Sequence, residues 1–191
     1  MDKVKFKYTL PAQILRMVRK HATTALLFSL IWLTMISLWA TTVGSYTFAA
    51  IGFIAYFLSI YNAGFETAID DKKSYTPLTP KPYKGIYLPI LLTVVNIIFI
   101  IIYKCSWGIG QADGAITNAW GLAGNVISIL WFSMYNALVG MDKGHFEFQG
   151  YLIIIFLPYL ASLLGYFAGY KGYDIYGKLN SLAYEKRKKK K

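Results

Sequence analysis

Ser59, Asn62, Glu66 and Asp70 follow one another at intervals of three, four and four positions. A helix continued through them sets all four on one face. Two carboxylates on such a face can attract a cation or a proton, and carboxylates near lipid usually face a cavity or a partner. Glu66 and Asp70 are therefore candidates for a cation-attracting mouth. The more ordinary reading is that both lie just past an apolar run, satisfied by water and by Lys72 and Lys73.

A second polar series consists of amides. Asn118, Gly121, Asn125, Ser128 and Asn136 can share one side of a helix, Asn96 stands near the middle of another apolar run, and Asn62 belongs to the first ladder. Asparagines at membrane depth either line a hydrated path or bond to a neighbouring helix, the latter worth roughly 0.6–2 kcal/mol each. Bonding between helices is the commoner use.

Other chemistries find little support. The single cysteine, Cys105, rules out an internal disulfide, a CxxC pair and a thiolate cluster, and His21 and His145 stand far apart without a metal-ligand partner at helical spacing. There is no Ser–His–Asp set and no phosphate-cradling glycine loop. The expectation is a protein that is not an enzyme and that uses no cofactor and no metal.

The elements that must position these residues are apolar. Of the 191 residues 56% are hydrophobic and only 15% charged, where soluble domains carry about 25% charged residues. The charges are almost absent from five runs, at about 24–43, 46–65, 86–103, 117–139 and 151–170. Each is long enough to cross a bilayer as a helix. The fold expected is all-α, a polytopic helical membrane protein with five transmembrane helices forming one domain over 22–170. Residues 1–21 form a basic N-terminus, read either as an interfacial amphipathic helix with Gln13, Arg16 and Lys20 on one side or as a solvated tail. Residues 171–191 form a basic C-terminal tail. Between the second and third runs, Pro77, Pro80 and Pro82 forbid helix and favour an extended connection.

The net charge of +11 lies beside apolar segments and does not interleave with aromatics on a soluble patch. Anionic headgroups are thus the expected partners, with no nucleic acid. The contact residues expected are Arg16, Arg19, Lys20, Lys186, Arg187, Lys188, Lys189, Lys190 and Lys191. Ala161, Gly165 and Gly169 recur at four-residue spacing, a small-residue series that lets helices approach closely, within the chain or between subunits.

Orientation is where the runs conflict. If all five cross, eleven basic residues lie on one side and nine on the other, which is no bias. If the fourth run, at about 117–139, is re-entrant, eighteen lie on one side and two on the other. Gly121, Gly124 and Asn125 could break a helix there. A short similarity between Ser59–Ala63 and Ser133–Ala137, each followed later by Leu-Pro, speaks instead for a tandem repeat and five crossings. Both topologies stay open, five crossings first. The composition points to a multi-pass protein of a bacterial plasma membrane. Its expected role is an accessory or interaction subunit of a membrane complex, with a protein partner or a homo-oligomer; the alternative is a small permease or channel-like protein with an asparagine-lined path.

Overall fold

The computed structural model of the chain describes residues 9–34, 41–73, 76, 78–112, 115–116, 119–135, 138 and 148–173. Five α-helices account for most of them: α1 (Leu10–Thr34), α2 (Thr42–Asp71), α3 (Ile90–Gly110), α4 (Ala119–Trp131) and α5 (Phe148–Lys171). Single 3-10 turns lie at Lys84–Ile86 and Ser133–Tyr135, and a two-residue antiparallel ladder joins Gln111–Ala112 to Ala115–Ile116.

The helix ends follow local chemistry. Pro11 sits in the first turn of α1, where its missing N–H costs nothing. The Thr41 side chain accepts from the Gly44 backbone N–H at 3.1 Å and caps α2. Past α5, Gly172 adopts φ 79°. Tyr173 N–H then bonds back to the Ala168 carbonyl at 2.9 Å, a left-handed stop that favours glycine. α1 runs unbroken through positions 21 and 22, so the basic N-terminal segment and the first apolar run share one helix from Leu10.

Among the described residues three helices are long and apolar enough to cross a membrane: α2, α3 with the turn before it, and α5. The apolar part of α1 leads into residues 35–40, outside the described residues. The fourth run is not one helix of spanning length. α4 has 13 residues, about 20 Å at 1.5 Å per residue, against about 30 Å of hydrocarbon core. It ends in the Ser133–Tyr135 turn, whose three side chains are buried.

Contacts along the helices fix their directions. Arg16 of α1 bonds Asp70 of α2, while Phe28 packs on Phe48, so α1 and α2 are antiparallel. Gly165 lies against Tyr61 and Gly169 against Phe65, so α5 runs parallel to α2. The start of α1, the end of α2, the Lys84–Ile86 turn and the end of α5 therefore meet at one end of the bundle. α4 is antiparallel to α3, with Gly124 beside Ser106 and Trp131 bonded to Asn96. It thus enters from the opposite end and stops partway. The following turn lodges against the middle of α2, where a β-carbon on Gly52 would overlap the Met134 carbonyl.

The bundle is apolar outside and mixed inside. Leu26, Val43, Ile54 and Phe156 are among many large apolar side chains more than half exposed, and every helix contributes some. The interior packs Tyr56, Ile60, Leu92, Tyr135 and Tyr166 together with Gln13, His21, Thr67, Asn96, Ser128 and Ser162, all essentially without exposure.

Candidate functional site

Two polar clusters stand out, one at the end where α1, α2 and α5 meet and one at the break after α4.

At the first, α2 continues as a helix to Asp71, so the spacing of Ser59, Asn62, Glu66 and Asp70 does set them on one face. That face is covered by α1. Thr24 donates to Ser59 at 3.2 Å, and Arg16 donates to Thr67 at 3.4 Å and to Asp70 at 2.7 Å. Lys73 Nζ reaches the other Asp70 oxygen at 2.6 Å. Glu66 accepts from Asn62 at 2.8 Å, with Arg16 and Lys20 each 3.9 Å away. Burial pushes the Asp70 carboxyl up, but the bonds from Lys73 and Arg16 outweigh it and hold the group below its ordinary value. Asp70 lies beyond the apolar run that ends at residue 65, yet neither carboxylate is a vacant cation seat.

Asp71 is the centre of this cluster. Its side chain is fully buried, and it accepts from Gln13 at 2.7 Å, Lys84 at 2.6 Å and Tyr166 at 2.7 Å. One carboxylate thereby joins α1, α2, the 3-10 turn and α5. Ser162 donates to the Gly85 carbonyl at 2.8 Å, and Lys72 to the Gly169 carbonyl at 2.9 Å, closing the same corner.

The second cluster answers backbone breaks. Pro158 sits inside α5. A proline there has no N–H to give to the carbonyl four residues earlier, which is that of Ile154. Asn96 supplies the missing donor: its Nδ2 lies 3.3 Å from the Ile154 oxygen, while its Oδ1 accepts from Trp131 Nε1 at 2.9 Å. The end of α4 is closed similarly from α1, as Ser29 donates to the Leu130 carbonyl at 3.0 Å and Ser133 to the Ala25 carbonyl at 2.8 Å. His21 Nδ1 shares a hydrogen bond of 3.1 Å with the Tyr56 hydroxyl, and the Trp131 ring stacks on Phe99 and lies against His21.

The residues singled out in the sequence fare differently. Asn62 and Asn96 are engaged within the fold. Asn125 carries a buried Oδ1 without a partner. Asn118, Asn136, Lys186, Arg187, Lys188, Lys189, Lys190 and Lys191 lie outside the described residues. Ala161, Gly165 and Gly169 face inward on α2, where a β-carbon on Gly165 would overlap the Tyr61 carbonyl, so the series packs helices of the same chain. Arg16 points into the cluster and is buried, whereas Arg19 is exposed and Lys20 half-buried. Asp71, Lys84, Tyr166 and His21 were not readable as members of a cluster, because their partners lie on other helices. Pro158 was the one local signal, since a proline within an apolar helix announces an orphan carbonyl.

Among the described residues no group of three His, Cys, Asp or Glu side chains is placed to hold a metal ion. Comparison of the chain with protein-family models, curated proteins and solved structures finds no match.

Proposed function

We propose that the chain is an integral membrane protein and that it serves as a non-catalytic accessory or interaction subunit of a membrane complex. The membrane placement is supported by the inversion of the usual pattern: large apolar side chains are exposed on every helix, while Gln13, His21, Asn96 and Asp71 are buried and each makes a hydrogen bond within the bundle. In a bilayer such pairing is what an unsatisfied polar group would otherwise lack. Four crossings, by α1, α2, α3 and α5, fit the helix directions, with α4 and its buried turn re-entrant. Both termini and the proline connection then share one face, and the weight of basic residues makes that face cytoplasmic. A bacterial plasma membrane is the location that composition favours.

The observation that carries the accessory reading is the internal use of the polar groups a transport path would need. Asn96 serves Ile154 and Trp131, Asn62 serves Glu66, and Glu66 and Asp70 are held by cations of the same chain. Helices closed on one another in this way leave their outer faces for lipid and for a partner. The test is purification in mild detergent followed by identification of co-purifying proteins. A stoichiometric membrane partner is the expected result; a homogeneous homo-oligomer without one contradicts it. One observation favours transport, the unpartnered Oδ1 of Asn125. Solute flux in reconstituted vesicles that is abolished by Asn125→Leu would establish that reading instead.

A further inference from the structure

At the end of the bundle where α1, α2 and α5 meet, pairing within the fold decides which basic residues still face outward: Arg16 and Lys20 are drawn to Glu66 and Asp70. Among the described residues this end holds three carboxylates, Glu66, Asp70 and Asp71, and each is matched by lysine or arginine within the fold. What remains outward is positive. Arg19, Lys81 and Lys171 are exposed, and among the described residues no carboxylate lies within 4.0 Å of any of them.

Arg19 has the most telling position. Leu15, Arg19, Thr23, Leu26, Leu30 and Leu33 recur at three- and four-residue spacing and are all exposed, so they form the outer stripe of α1. Arg19 is the one charge on this otherwise largely apolar stripe. Its neighbour Lys20 lies 3.9 Å from Glu66, the first residue past the apolar run of α2. That puts Arg19 at the level where hydrocarbon gives way to headgroups. Around the same end Tyr83 and Tyr87 are about half exposed, with their rings 6.3 Å apart, beside exposed Ile86. Exposed tyrosines mark a membrane–water interface. A guanidinium held there, with Leu15 to one side and leucines to the other, meets lipid phosphate before it meets bulk water, and its planar fork suits a phosphate.

From this geometry we infer that the charged end binds the headgroups of anionic phospholipids, with Arg19 as the anchoring residue and Lys81 as a second contact. The inference rests on the membrane placement proposed above and is tested separately from it. The full chain is reconstituted in phosphatidylcholine vesicles for flotation, and in mild detergent its binding of phosphatidylglycerol against phosphatidylcholine is read by native mass spectrometry, which gives the preference for the anionic lipid. Arg19→Gln lowers that preference about five-fold, the equivalent of about 1 kcal/mol per cation near a surface. Adding Lys81→Gln lowers it further, and neither variant changes the binding of phosphatidylcholine. An unchanged preference in the double variant overturns the inference, as does equal competition by inorganic phosphate, which would identify a free-anion site. A chain that does not float with the vesicles contradicts the membrane placement itself.

Discussion

Pro158 and Asn96 form a pair whose energetics can be isolated. Asn96→Leu strands the Ile154 carbonyl and the Trp131 N–H, and an unsatisfied buried group costs about 1–3 kcal/mol. Pro158→Ala restores the backbone donor to Ile154. The expected outcome is a coupling: Asn96→Leu lowers the thermal midpoint markedly in the native background and clearly less beside Pro158→Ala. Equal losses in both backgrounds would show that Asn96 does not compensate the proline. Asp70 makes a second prediction at this scale. Burial opposes its charge, but Lys73 and Arg16 hold its folded-state value below the ordinary one. A depressed carboxylate stabilises fully above its unfolded value of about 4, and that contribution disappears as pH falls through the lower folded value. Thermal midpoints of the native chain should therefore drop more steeply below about pH 4 than those of Asp70→Asn, and parallel curves would exclude the pairing.

Among the helices, what could be read from sequence was whatever depends on local pattern. The apolar runs and the ladder from Ser59 to Asp70 follow from spacing along the chain, as does the close helix approach at Gly165, although whether that approach lies within the chain or between subunits did not. The length of the fourth helix did not. Its apolar run continues past Trp131, and hydropathy is blind to the turn at Ser133–Tyr135, which is set by Gly52 and Ser29 on other helices. Of the partners of Asp70, Lys73 was legible from its place in the sequence, whereas Arg16, which reaches both Asp70 and Glu66, was missed for a related reason: it belongs to a basic segment whose polar side was expected to meet water or headgroups. Close approach of α5 to α2 is testable directly. Gly165→Leu forces a side chain into the Tyr61 carbonyl, and overpacking of this kind costs about 1–3 kcal/mol or more. The variant should lose thermal stability as a monomeric unit without a change in oligomer size; a changed oligomer with unchanged stability would place that face between subunits.

For the whole molecule, the parallel run of α2 and α5 carries the topology. It brings the end of α5 to the start of α1, so the chain leaves α5 at the end of the bundle where α1 begins, and the proposed four crossings take α4 as entering from the other end and returning. Cys105, exposed near the end of α3, belongs to the opposite face. Labelling intact cells with a membrane-impermeant maleimide tests this most directly. The native chain should react at Cys105 from outside, while Ser181→Cys in a Cys105→Ser background should react only after the membrane is permeabilised. External labelling at position 181 together with external labelling of Cys105 would contradict four crossings and restore a fifth.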